Sequence, residues 1–262
     1  MKKSAFSFFF IGFFFIACTS KEEKLKFFNS AYLDELNEQV SKNPDSTNFR
    51  LKLVNALDSA AMYKESLAQM DKLISKDSLN NAFWFIKGQV QEHSADTPNA
   101  IISYNRSVKI YPTANALLSL ANMYAETRNP KTLEVCAAIK ELYPDREHLG
   151  DAMFFEGVYH TRIGNKEKAV DLFNASINFN YTLMDTYIEL GSIYYEEKKH
   201  AEAIKIFQTA ASINNTYADA YYWLGKCFEA MNYKDSAVFN YQKVIVLDKN
   251  FKEAEEALKR LK

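Results

Sequence analysis

The chain has 262 residues, a formal net charge of −1, 48% hydrophobic residues, and only seven Gly and five Pro. So few turn-forming residues exclude a sandwich or barrel, which needs turn signals roughly every ten positions, and leave an all-α chain with short connections. The charge, which goes from −1 to −3 once Lys2 and Lys3 are removed, excludes a basic field for nucleic acid or for an anionic membrane surface.

Residues 1–17 read as a secretory signal: Lys2 and Lys3, then the apolar run Ala5 to Ala17, directly before Cys18. A helix over that run is about 20 Å long against a hydrocarbon core of about 30 Å, too short to span it. Phe15-Ile16-Ala17-Cys18 resembles the lipobox of bacterial lipoproteins, with its small residue before the modified Cys and with Phe15 where Leu is usual. That resemblance implies a diacylglyceryl thioether on Cys18 and an acylated new amino terminus, and several acyl chains anchor durably where one is marginal. Thr19 stands where an Asp would favour inner-membrane retention, which implies the outer membrane, facing the periplasm or the surface. Residues 18–26 are then the lipidated Cys and a tether. Within them Ser20-Lys21-Glu22-Glu23 reads as a solvated stretch, and also resembles a short acidic export signal of some surface lipoproteins.

Residues 27–46 form a half repeat, with Phe28, Tyr32, Leu33, Leu36 and Val40 on one helical face and Asn43-Pro44 as its stop. Beyond it the chain repeats with a period of 34 residues. Gly157, Gly191 and Gly225 fall on one register, Ala169, Ala203 and Ala237 on a second, and Phe173, Phe207 and Tyr241 on a third. Projected backwards, the registers meet Trp84, Gly88, Ala100, Tyr104 and Pro112, then looser copies around Val54/Ser66/Met70 and Leu120/Ala121/Tyr124/Leu133. Six repeats result, over 47–80, 81–113, 114–149, 150–183, 184–217 and 218–250. The third is longer, since Ala121 to Gly157 is 36 residues, and a longer loop is expected near Pro144.

Thr97-Pro98 and Asn129-Pro130 place a capping side chain before a Pro that needs no N–H, and Asn165 and Asn232 are set to cap second helices likewise. Small residues, with aromatic rings over them, are expected where paired helices cross, as with Gly225 and Ala237 beneath Tyr221 and Tyr241. Residues 251–262 form a capping helix. Phe251, Ala254, Ala257, Leu258 and Leu261 line one side of it, and Lys252, Glu253, Glu255, Glu256, Lys259 and Arg260 the other.

Tyr187-x2-Leu190-Gly191-x2-Tyr194 followed by Ala203-x3-Phe207, and Tyr221-x2-Leu224-Gly225-x2-Phe228 followed by Ala237-x3-Tyr241, resemble the tetratricopeptide repeat signature. The resemblance implies a right-handed α-α superhelix of about six repeats over 47–250 with a C-terminal capping helix. It also implies a concave groove lined by the first helices, chiefly through the second, fifth, ninth, twelfth and thirteenth repeat positions. Those positions hold Asn55, Asp58, Phe85, Gln89, Glu92, Asn122, Phe154, Arg162, Asp185, Ile188, Tyr195, Tyr222, Lys226 and Glu229. Aromatic anchors among amides and carboxylates suit an extended peptide or a partner helix, although packing between repeats accounts for any single one of these residues equally well. The fifth position carries Leu51, Phe85, Leu118, Phe154, Ile188 and Tyr222, and so no Lys for clamping a chain-terminal carboxylate.

Catalytic chemistry finds no support in the spacing. His93, His148, His160 and His200 form no i, i+4 metal pair, and His160 occupies a slot held by Tyr194 and Phe228 in later repeats. No Gly-x-Ser-x-Gly or phosphate-cradling loop occurs. Cys136 and Cys227 lie almost three repeats apart, too far for a disulfide, and read as buried apolar residues. The expectation is a non-enzymatic, cofactor-free scaffold or adaptor of the bacterial envelope, held to its membrane by a lipid and holding a protein or peptide partner. The alternative is a surface lipoprotein that binds nutrients or glycans for uptake.

Overall fold

The computed structural model describes residues 21–261, with side chains from Ser30 onward. The signal segment and Cys18 lie outside the described residues, as do the side chains of the tether and of Phe28. Among the described residues there are fourteen helices and no strand. Helix α1 (Lys21–Lys42) begins inside the segment expected as tether, so residues 18–26 are helical from Lys21 onward. Six helix pairs follow: α2 (Thr47–Ser59) with α3 (Tyr63–Lys76), α4 (Asn81–His93) with α5 (Thr97–Ile110), α6 (Ala114–Glu126) with α7 (Lys131–Leu142), α8 (Arg146–Arg162) with α9 (Lys166–Phe179), α10 (Met184–Glu196) with α11 (His200–Ile213), and α12 (Ala218–Ala230) with α13 (Lys234–Leu247). Helix α14 (Lys252–Arg260) ends the series.

The chain divides into two compact units, one ending at Lys76 and one starting at Asp77. In the first, Leu36 of α1 is buried with Leu53 and Leu57 of α2, and Leu33 and Val40 pack against them. Arg50 is buried on α2, where its guanidinium donates to the Gln69 side chain and to the Pro44 carbonyl, fastening the turn after α1.

The second unit is an all-α repeat superhelix. Each second helix packs between its own first helix and the next one, as α9 does between α8 and α10, and α13 between α12 and α14. First helices also touch directly, α6 on α8 and α10 on α12, which sets them on the inner side of the curve. Helix α14 buries Ala254 and Ala257 against Tyr241 and Val244, with Phe251, Leu258 and Leu261 beside them.

The turn within each pair is the same structure six times. Ala61, Ala95, Arg128, Gly164, Lys198 and Asn232 adopt left-handed backbone, with φ between 57° and 87°. In each, that residue's N–H reaches the carbonyl three residues back, and the next residue's N–H the carbonyl five residues back, as Ala95 does to Glu92 and Asp96 to Gln91. This is the Schellman closure of a helix end. It corrects the expected role of Asn232, which ends α12 in left-handed backbone rather than capping α13; the residue before α13 is Tyr233, without a side-chain cap. Asn165 caps α9 as expected, through the Lys168 N–H at 3.3 Å. Before α7 the Asn129 side chain accepts from the Lys131 N–H at 3.0 Å. The cap of α5 is Asp96 rather than Thr97, because the Asp96 carboxylate reaches the Asn99 N–H and Thr97 is already helical.

The long third repeat is also corrected. Only Tyr143, Pro144 and Asp145 separate α7 from α8, no more than elsewhere, and the extra length lies in α8, which has 17 residues where the other first helices of the pairs have 13. The physical reason is local. Asp145 caps the extended start through the His148 N–H and pairs with the His148 ring, while Arg146 donates to the Asn178 carbonyl at the end of α9.

Rings sit on glycines where the paired helices cross. A Cβ on Gly88, Gly157, Gly191 or Gly225 would lie 2.4–2.6 Å from the nearest ring atom of Tyr104, Phe173, Phe207 or Tyr241, respectively. Room for the ring sixteen residues on is therefore what the glycine supplies, and these four rings are fully buried. Cys136 and Cys227 are buried, unpaired thiols, and burial raises the pKa of both, that of Cys227 to about 12.

Candidate partner groove

The inner face of the second unit is built from the ends of the first helices. At its middle stands Arg162, at the last turn of α8. Its guanidinium donates to Glu126 of α6 at 2.8 and 3.0 Å and to Glu189 of α10 at 2.8 and 3.1 Å. Two carboxylates on one planar fork are held at fixed positions, and three successive first helices are tied together. Burial opposes the Arg162 charge, but the bonds from Glu189 and Glu126 outweigh it and keep its pKa above the ordinary value.

Nearer the C-terminus lies a pocket of about 300 Å³ lined by Tyr195, Tyr222, Lys226, Glu229, Tyr241 and Arg260. The Tyr241 hydroxyl passes over Gly225 and donates to Glu229 at 2.9 Å. Arg260 of α14 closes on the same carboxylate through Nε and Nη2, both at 2.9 Å. The Arg260 bond above all, and the Tyr241 hydroxyl with it, hold the Glu229 pKa below the usual carboxylate range although burial pulls it upward. Glu92 repeats the arrangement on α4, accepting from the Tyr104 hydroxyl at 2.6 Å. Where the ring is Phe173 or Phe207, the residue four after the glycine is Thr161 or Tyr195 instead of Glu. A buried phenol needs an acceptor and a phenyl does not.

The structure brings four of the expected groove residues, Tyr195, Tyr222, Lys226 and Glu229, into this one pocket. Arg162, Gln89 and Asn122 are half-buried on first helices, and Phe85 is half-buried with its ring 5.7 Å from that of Tyr104. Two expectations are corrected. Phe154 and Ile188 are each only 7% exposed, Phe154 packed on Phe155 and Phe173, and Ile188 with Ala203, Phe207 and Leu224, so neither presents a surface to a ligand. Asp185 is engaged within the solenoid, accepting from the Tyr217 hydroxyl at 2.6 Å. Asn55 is exposed and Asp58 half-buried on α2, in the first unit.

Sequence reasoning missed Glu126, Glu189, Trp223 and Arg260. One signal for Arg260 was present: it stands 34 residues after Lys226, on the register continued into the capping helix. Glu126 is the thirteenth residue of its repeat, whereas Glu189 and Trp223 sit at the sixth position, outside the groove pattern.

Three of the four histidines take packing or capping roles. His148 pairs with Asp145, His160 packs edge-on against Tyr159, and His200 lies against Tyr195. Among the described residues no group of three or more His, Cys, Asp or Glu is placed to hold a metal ion. No helix among them is long and apolar enough to cross a membrane.

Family models of the tetratricopeptide repeat match residues 51–115, 191–232 and 218–251, within the helix pairs just described. The matched segments are tetratricopeptide repeats. Solved structures agree on the fold. A tetratricopeptide repeat protein from Parabacteroides merdae superposes with a TM-score of 0.71 at 18% identity, covering 92% of this chain and 96% of that one. The Cut9–Hcn1 hetero-tetramer of the APC/C gives 0.62 at 15% identity, over 89% of this chain and 47% of the other. Yeast Tom70 gives 0.61 at 13%, over 93% and 60%. At these identities the likeness concerns the fold alone. No match was found among the curated proteins.

Proposed function

We propose that this chain is a lipid-anchored tetratricopeptide scaffold of a bacterial envelope, whose first-helix face holds a protein partner. Tetratricopeptide proteins generally bind other proteins rather than catalyse reactions. The observation that carries the reading is the composition of the inner face: an aromatic-walled pocket, at the edge of which Glu229 and Arg260 are already paired, and an Arg162 fork that holds two carboxylates in place. Rigid aromatic anchors with pre-ordered polar groups around them are how protein partners are held. Assembly is also the setting of one similar structure, Cut9–Hcn1, which is a hetero-tetramer.

The anchor rests on the sequence: Lys2 and Lys3, the apolar run to Ala17, and Cys18. Thr19 after the cysteine supports the outer membrane as the destination. Cys18→Ala tests it. The variant is expected to lose labelling by a fatty-acid analogue and to leave the membrane fraction, whereas retention of both would sink the anchor.

A further inference from the structure

The Lys226 ammonium lies 3.9 Å from the centroid of the Trp223 ring, 5.0 Å from Tyr195 and 5.7 Å from Tyr222. Among the described residues no carboxylate or carbonyl accepts a hydrogen bond from it, though Glu196 and Glu229 are near enough to act on its charge. Aromatic faces stabilise the cation but leave its three N–H donors without acceptors. The pocket's other cation is not available, because the Arg260 fork is spent on Glu229. Once that pair is cancelled, the pocket has one uncompensated positive charge, half-buried and walled by rings.

We propose that this pocket receives an internal Asp or Glu side chain of a partner polypeptide, its carboxylate taking the Lys226 N–H donors while an adjoining apolar side chain lies on Tyr195 and Tyr222. The proposal rests on the reading of the first-helix face as the partner groove. A chain-terminal carboxylate fits less well. Such groups are gathered by several converging donors or by a nest of free backbone N–H groups, and the lining residues lie within helices that use theirs. A phosphate prefers a free bidentate guanidinium, which Arg260 no longer offers. Burial lowers the Lys226 pKa, and an incoming carboxylate would raise it again.

The test is selection of a random decapeptide library, acetylated and amidated at its ends, on the full chain held in detergent. Enriched peptides are expected to share an Asp or Glu beside an aromatic or aliphatic residue, and replacing that acid by its amide should weaken binding to the unaltered protein about tenfold. Lys226→Met should lose the acidic preference and Lys226→Glu should exchange it for Lys or Arg, with helicity and Tm unchanged. Enrichment without an acidic position, or an acidic preference that survives in Lys226→Met, would overturn the proposal. So would a preference for free carboxy termini or phosphoserine. If peptides without an acid bind and Tyr222→Ala abolishes their binding, the groove reading stands and this inference falls. If nothing is enriched, both fall.

Discussion

Gly225 and the Tyr241 ring form a single fitted contact: a Cβ on the glycine would lie 2.5 Å from the ring, and the hydroxyl beyond it bonds Glu229. The contact that joins α12 to α13 thereby also sets the position of a carboxylate in the groove. Gly225→Ala is expected to destabilise by about 1–2 kcal/mol, overpacking outweighing the better helix propensity of Ala. Tyr241→Phe keeps the packing and should cost about 1 kcal/mol for the lost hydroxyl bond. Urea denaturation of the two variants checks both values, and an unaffected Gly225→Ala would contradict the tight contact.

The six left-handed turns predict a signed pair of effects. Ala95, at φ 60°, holds a Cβ in a region that disfavours it, and Gly164, at φ 87°, does not. Ala95→Gly should stabilise by about 0.5–1 kcal/mol and Gly164→Ala should destabilise by about 1 kcal/mol. Thermal melts read both, and equal signs would refute the turn geometry.

Asp151, on the extended α8, has its pKa raised to about 6 by burial first and then by the charge of Glu147. A carboxyl raised in the folded state binds more protons folded than unfolded between its two pKa values. Stability therefore falls as pH rises from about 4 to about 6, and the loss is complete above that. Asp151→Asn should raise Tm at pH 7.5 and leave it nearly unchanged at pH 4. A Tm difference that did not vary with pH would exclude this titration.

The helix pairs were legible because their determinants recur: a glycine and the ring that fills its place stand sixteen residues apart in four of the six pairs, so the period follows from packing itself. Helix ends were less legible. Thr97 and Asn232 are residue types that cap, but Asp96 and the left-handed turn took those roles, and neither outcome follows from residue type alone. The added residues of the third repeat were counted correctly and placed wrongly, because Asp145 and Arg146 secure one more helical turn where Pro144 suggested a loop. Groove positions were the least legible. A position number gives a helix face, but whether Phe154 meets solvent or Phe173 depends on neighbours that the period does not specify. Arg162 was placed on the inner face, and its partners Glu126 and Glu189, 36 and 27 residues away, become visible only in three dimensions.

The central claim is that a partner sits on the first-helix face of the second unit. It is tested most directly by placing a photocrosslinking residue in living cells at Gln89 or Tyr222 on that face, and at Phe239 or Val246, which are 66% and 77% exposed on α13. A discrete protein adduct formed from Gln89 and Tyr222 and absent from Phe239 and Val246 is the predicted result. An adduct formed from the α13 positions alone would contradict it.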